Sequence, residues 1–307
     1  MKKITLLALP LLLLGACAQK ATKDLKIVCP TGAPAFAFYN YSQNNNFETN
    51  TKPENIISMM TKTSEKTAVV LPTDTGIKAI RNGAPYKIAA NITFGNFYVC
   101  STGHDDDDVM ESTDRIVLFG KNTTPDLLFH YIYGDEFDSG IEYVSGATDA
   151  KTCLETAKNL ATDHEIDYVF LAQPAVFAAL KTNANAKVYA NIQKLFKEKS
   201  EGKELVQASI FIKNNLDRTV ADEFLSSLKS DIESVLETPE LITQKLSSLS
   251  DEEIMALYGT KAQVAMAVTK AGNGLGLGFK YAKDNKENID NFLSVFSLEK
   301  TDEKIYY

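Results

Sequence analysis

Four strand-like runs in this chain each break into a proline-bearing turn that opens a helix, and that repeated step restricts the fold more than anything else. Lys26–Cys29 runs into Pro30-Thr31-Gly32-Ala33-Pro34, and Thr67–Leu71 into Pro72-Thr73-Asp74-Thr75. Arg115–Phe119 runs into Thr123-Thr124-Pro125-Asp126, and Tyr168–Leu171 into Ala172-Gln173-Pro174-Ala175. At a helix threshold the missing proline N–H costs nothing, and Thr, Gly or Gln beside it can present polar groups. Short β-rich runs alternating with helical ones predict parallel α/β layers. Ligands in open α/β sheets bind where strand carboxyl ends meet helix N-termini. Two such turns early and two late predict two lobes whose sheet ends face one cleft.

The remaining runs fit the same scheme. Lys87–Ser101, Ile141–Val144, Lys187–Tyr189 and Ser209–Lys213 read as strands, Lys87–Ser101 being long enough for two strands or one bent strand. Ala150, Leu154, Ala157 and Ala161 mark a helical stripe after Thr148 and Asp149. Val220, Phe224, Leu228, Ile232 and Val235 mark another after a Thr219 and Asp222 capping pair, and Ile289, Phe292, Leu293 and Phe296 mark the last. These stripes are core. Beyond Ser209–Lys213 the pattern is mostly helical to Ser297, with the glycine-rich Gly272–Gly278 a turn or edge segment and the tail from Glu299 on the surface.

The N-terminus reads as a lipoprotein export signal. Lys2 and Lys3 precede an apolar run from Ile4 to Leu14, and Leu14-Gly15-Ala16-Cys17 supplies a small-residue cleavage site with cysteine directly after it. A run of about eleven residues is too short to cross a bilayer core that needs about twenty. Residues 1–16 are expected to be removed, Cys17 to be acylated, and residues 17–24 to form a flexible tether. With 32 basic residues against 40 acidic ones, two of the basic ones in the leader, the chain has no basic surface for nucleic acid. Cys29, Cys100 and Cys153 are too scattered for a zinc site or a disulfide framework; a Cys29–Cys100 bridge stays open, and at least one thiol remains free. His104-Asp105-Asp106-Asp107-Asp108 lacks calcium-loop spacing and reads as a solvated acidic loop. His130 and His164 fall in helical stretches without partners at metal spacing, and no nucleophile motif or phosphate loop is present. No catalytic residue, metal or cofactor is therefore assigned.

In order and spacing these motifs resemble the solute-binding lipoproteins of ABC importers, in the branch that includes nitrate-, sulfonate-, taurine- and thiamine-precursor-binding proteins. The resemblance is carried by Thr31-Gly32-Ala33-Pro34-Ala35, by Leu71-Pro72-Thr73 ahead of Arg81-Asn82-Gly83, and by Phe94-Gly95-Asn96. It continues through Phe119-Gly120 with Thr123–Asp126, and through Tyr168–Pro174, to a closing Ile289–Leu293. It implies an α/β, two-lobed, periplasmic-binding-protein-like fold of type 2 with a ligand cleft between the lobes. Lobe one would hold residues 25–113 plus 205–307, and lobe two residues 114–204.

The resemblance further implies a monomer in the cell envelope, anchored to the bilayer through Cys17, that captures a small organic or anionic ligand and delivers it to the membrane subunits of an ABC importer. Carried over by position, the ligand-binding candidates are Thr31, Gly32, Ala33, Thr73, Asp74, Phe94, Gly95, Thr123, Thr124 and Gln173. Asp74 either caps its helix or faces the ligand, and none of the four turns contains arginine. An enzyme on the same two-lobed fold and a ligand-sensing accessory lipoprotein are the alternatives; the leader and a cleft without histidine weigh against the enzyme.

Overall fold

The computed structural model describes residues 25–62, 65–104 and 109–307. Cys17 and Asp105–Asp108 lie outside the described residues. The chain first builds β1 (Lys26–Pro30), a 3-10 helix (Ala33–Tyr41), β2 (Phe47–Asn50), α1 (Pro53–Lys62), β3 (Thr67–Pro72), α2 (Thr73–Arg81) and β4 (Tyr86–Thr93). Residues 94–96 cross to a second sheet. There the chain forms β5 (Phe97–Ser101), β6 (Ile116–Phe119), α3 (Thr124–Tyr133), β7 (Ile141–Val144) and α4 (Ala147–Thr156). A small hairpin of β8 (Lys158–Asn159) and β9 (His164–Glu165) precedes β10 (Tyr168–Ala172), α5 (Ala175–Thr182), β11 (Lys187–Asn191) and α6 (Ile192–Lys199). Residues 200–207 cross back into β12 (Ala208–Lys213), then α7 (Arg218–Glu237), α8 (Glu240–Leu246), α9 (Asp251–Tyr258), α10 (Ala262–Lys270), β13 (Leu277–Tyr281) and α11 (Lys286–Val295).

Six strands form one sheet in the order β13-β4-β12-β3-β1-β2, and five form the other in the order β11-β5-β10-β6-β7. β1, β2 and β3 are parallel, with β12 antiparallel between β3 and β4. In the second sheet β6, β7 and β10 are parallel and β5 runs against β10.

Period-2 alternation divides each strand between two cores. Ala68 and Val70 of β3 face a cluster with the 3-10 helix and α7, whereas Val69 and Leu71 face a second cluster. That second cluster continues into the other lobe, joining Val28, Ile77 and Tyr86 to Phe97, Leu128, Phe129 and Phe170, with Ile289, Phe292 and Leu293 of α11 between. Val117, Val169 and Leu171, on the opposite face of the five-stranded sheet, pack in a third cluster with Ala150 and Leu154 of α4.

Several expectations are corrected. Lys87–Ser101 is two strands in different sheets, so Phe97–Ser101, expected in lobe one, belongs to the second sheet, and the boundary falls near residue 95 rather than 113. The break is at Gly95, whose φ is +106° and where a Cβ would meet Gln193 Oε1 and Leu205 Cδ2; a Cβ at Gly276 would strike the Gly95 carbonyl. Only glycines allow this close approach. α4 stops at Thr156 because Ala157 is left-handed, at φ +54°, which leaves Ala161 outside the stripe. Asp217, not the Thr219 and Asp222 pair, caps α7, accepting from the N–H groups of Thr219 and Val220 at 2.9 and 3.2 Å.

His164 stands in a strand, not a helix, and the glycine-rich segment leads into edge strand β13. The tail is not a surface appendage. Thr301 and Tyr306 are buried, their hydroxyls 2.6 Å apart, and the Tyr307 N–H donates to the Ile88 carbonyl. Cys29, Cys100 and Cys153 are all free and buried, Cys29 and Cys100 in different sheets. Burial pushes the Cys29 thiol well up, Cys100 to about 12 and Cys153 to about 11.

Candidate functional site

Register fixes where the loops converge. Pro72 and Thr93 both pair with Ala208, which sets the carboxyl ends of β3 and β4 beside the start of β12. In the second sheet Ala172 pairs with Phe97, and Phe119 with Val144, which gathers the carboxyl ends of β10, β6 and β7 beside the start of β5. The first crossover runs from one of these edges to the other and the second enters β12 at the first, so the two edges lie on either side of the links.

The crossovers are tied to each other by amides. Asn96 N–H donates to Gln207 Oε1 at 3.1 Å, and Gln207 Nε2 returns a bond to Asn96 Oδ1 at 2.7 Å. Asn96 Nδ2 donates to the Gln173 carbonyl at 2.9 Å, while Gln173 N–H donates to the Asn96 carbonyl at 2.8 Å. Gln207 N–H donates to the Thr93 carbonyl and its own carbonyl accepts from Thr73 N–H. Reciprocal amide pairs of this kind satisfy buried polar groups while fixing register.

The structure brings some of the candidates together and separates the others. Asp74 and Thr124 meet directly: the Thr124 hydroxyl donates to Asp74 Oδ1 at 3.2 Å, both residues being buried. Asp74 Oδ2 accepts from Lys78 Nζ at 3.2 Å and from the Thr75 hydroxyl at 3.4 Å. It does not cap α2, whose first residue is Thr73 and whose N-cap, Pro72, has no side-chain bond. Gly95 and Gln173 belong to the crossover network, and the Thr73 hydroxyl lies 2.6 Å from Ser209 Oγ in a buried chain that continues through Asn91 to Asn285.

Thr31, Gly32 and Ala33 follow β1 at the same sheet edge. The Thr31 Oγ1 atom is buried with no hydrogen-bond partner among the described residues, as is Thr93 Oγ1 at the end of β4. Gly32 is left-handed at φ +116° with open space beside it, so a side chain there is opposed by backbone strain and not by a neighbour. Ala33 packs into the core cluster behind the six-stranded sheet, which leaves its side chain unavailable to a ligand.

Phe94 turns toward β13: its N–H donates to the Gly276 carbonyl, its ring lies against Gly278, and Lys280 Nζ stands 5.4 Å from the ring centroid. Thr123 is exposed, its hydroxyl bonded to the Gly120 carbonyl. Asn96 and Gln207 were missing from the candidates; the available signal was an amide beside Gly95 and another between Val206 and Ala208, each a polar residue interrupting an apolar run.

The α3 turn holds a second buried carboxylate. Asp126 accepts from Asn122 N–H and from the Tyr143 hydroxyl, both at 2.7 Å, and lies 3.2 Å from His130 Nδ1. Burial, then the Asp126 bond, pushes the Tyr143 hydroxyl pKa up. Burial pulls His130 down, but the Asp126 carbonyl and the Asp138 carboxylate outweigh it and leave the pKa raised. His130, Asp135 and Asp138 bring ligand atoms within 4.8 Å of one another. His130 therefore has partners that its sequence spacing did not reveal, although its two nitrogens are already bonded to the Asp126 carbonyl and Asp138, each at 2.9 Å. Among the described residues no helix is long and apolar enough to cross a membrane.

No protein-family model matches the sequence, and no curated protein does. Solved structures do. An ABC transporter structure from Parabacteroides distasonis is 16% identical, with a TM-score of 0.73 over 93% of this chain and 99% of that one. The zinc-bound ligand binding component of an ABC-type import system from Staphylococcus aureus is 8% identical, with a TM-score of 0.63 over 92% and 96%. The periplasmic aliphatic sulphonate binding protein from Escherichia coli is 11% identical, with a TM-score of 0.59 over 92% and 91%. Two α/β sheets, the crossovers between their facing edges and these likenesses together give the chain the two-lobed, type 2 fold of the periplasmic binding proteins.

Proposed function

We propose that the protein is an extracytoplasmic solute-binding protein that encloses a small ligand between its lobes and delivers it to the membrane subunits of an ABC importer. The observation that carries the reading is the meeting of the two sheet edges at a pair of crossovers, with one residue from each lobe, Asp74 and Thr124, already in contact across them. A ligand bound there touches both lobes, so its binding energy favours the shut arrangement. The neighbours described as import-system and sulphonate-binding components support capture rather than bond chemistry. Cys17, outside the described residues, would hold the monomer on the bilayer, with residues 18–24 as tether. No cofactor is part of this reading.

The cleft groups are Thr31, Gly32, Thr73, Asp74, Gly95, Thr124 and Gln173, with Phe94 at the rim and Thr123 beside it. Solute screening by thermal shift, followed by small-angle scattering, tests the proposal. A solute at a hundred times its dissociation constant adds about 2.7 kcal/mol to stability. It should also reduce the radius of gyration. A micromolar ligand that leaves the scattering curve unchanged would count against closure.

A further inference from the structure

The cleft edge of lobe one carries a buried carboxylate, Asp74, and Lys78 beside it is engaged with it. Asp74 is 3% exposed and lies in the first turn of α2, so its charge already complements that helix N-terminus. Lys78 bonds Asp74 itself. Lys121 stands over the Tyr143 ring at 4.9 Å, and Lys280 pairs with Glu204 above Phe94. The chain has only three arginines, all at the far ends of their elements. Arg81, at the end of α2, donates to the Glu299 and Lys300 carbonyls; Arg115 precedes β6; Arg218 begins α7 against Tyr307. No guanidinium therefore reaches either cleft edge.

A carboxylate offers about four lone-pair sites. Thr124, Thr75 and Lys78 occupy three of them, on one atom at 3.2 Å and on the other at 3.4 and 3.2 Å. Room remains for one more donor, and the Thr124 hydroxyl, at 3.2 Å, is the contact a better donor would replace. The fully buried Thr93 has a hydroxyl oxygen with no partner among the described residues, which adds an unsatisfied polar atom at the same edge. An anion placed here would meet the Asp74 oxygens, whose charge Lys78 balances from one side only, whereas an N–H group would meet an acceptor.

We infer that Asp74 sets the charge class of the solute, admitting ligands that offer N–H donors and carry no net negative charge and rejecting organic sulfonates and carboxylates. The inference rests on the solute-binding reading and narrows it. It also separates this chain from the Escherichia coli neighbour, which is described as binding aliphatic sulphonates.

The test is a thermal-shift and calorimetric screen of the full chain in detergent against small solutes sorted by charge, with butylamine, butyramide and butanesulfonate as matched probes. The strongest binder should be an amine, amide or amidine. Asp74→Asn should weaken it by about tenfold, as expected for loss of a charge-assisted hydrogen bond. Lys78→Gln, at a half-exposed position, keeps the fold and removes the countercharge, so it should widen the preference for donor over sulfonate probes. A sulfonate or carboxylate as the strongest wild-type binder would overturn the inference and leave solute binding standing. An unchanged preference in Lys78→Gln and Asp74→Asn would likewise overturn it. No binder of either charge would sink both readings together.

Discussion

Two helices present a buried aspartate in their first turn at the same cleft, and they use it in opposite ways. Asp126 of α3 is bonded wholly within its own lobe, by Asn122 N–H, the Tyr143 hydroxyl and His130. Asp74 of α2 reaches across to Thr124 and otherwise holds only Thr75 and the half-exposed Lys78. The same residue type at the same kind of helix end is thus a fixed part of the scaffold in one lobe and an adjustable contact in the other. The difference lies in the partners: a backbone N–H and side chains of the same lobe in one case, and in the other a buried hydroxyl from the opposite lobe with two side chains of its own helix.

The comparison is easiest to break at Asp126. Asp126→Ala removes a buried charged acceptor from the Asn122 N–H, the Tyr143 hydroxyl and His130, and should cost about 3 kcal/mol, the upper end for hydrogen bonds to a charged group. Urea denaturation followed by circular dichroism reads this, since the chain has no tryptophan. A loss below about 1 kcal/mol would erase the distinction. Next in size is Asn96→Ala, which removes the two side-chain links from the first crossover to Gln207 and Gln173; about 2 kcal/mol is expected, from one to three for each buried group left unpaired. Double-mutant cycles with Gln207→Ala should show coupling, and simple additivity would argue that the amide pair is incidental.

Asp74→Ala should cost only about 1 kcal/mol, because Lys78 regains water and Thr124 alone is left without its acceptor. A cost as large as that of Asp126→Ala would mean that both carboxylates are scaffold. The smallest effect is the share of the pH dependence that His130 of α3 carries beside His104, whose pKa its Asp167 and Glu165 bonds also raise. The folded pKa of His130 is raised, so its contribution is complete below the unfolded value near 6.5 and is lost as pH rises through the folded value. Wild type should therefore lose slightly more melting temperature between pH 5.5 and pH 8 than His130→Gln does. An identical profile in the variant would show that the histidine contributes nothing.

The parallel strands were legible because each is a compact apolar run ended by a proline turn, a local signal. β2 was not, since Phe47 is the sole apolar residue in Phe47–Asn50 and its neighbour β1 supplies the pairing. The lobe boundary was hidden for the opposite reason: Lys87–Ser101 is apolar almost throughout, and only the backbone setting of Gly95 divides it. At the site, the turns could be read because proline, threonine and glycine mark them. What Asp74 bonds could not, since Thr124 lies fifty positions away and a local cap satisfies the same pattern. Ala33 shows what position alone leaves open: its side chain faces the core, so only its backbone is available to a ligand.

The cluster that runs from Val28 through α11 to Phe170 joins the lobes on the side away from the cleft-edge polar network. The six-stranded sheet keeps a second core on its other face and the five-stranded sheet another against α4, yet the shared cluster runs through both, which couples their unfolding. Calorimetry should record a single endotherm, and hydrogen exchange the same opening free energy for the innermost amides of both sheets. Breathing at the cleft and unfolding of the whole are then separate events, and a ligand that binds only the folded chain opposes both.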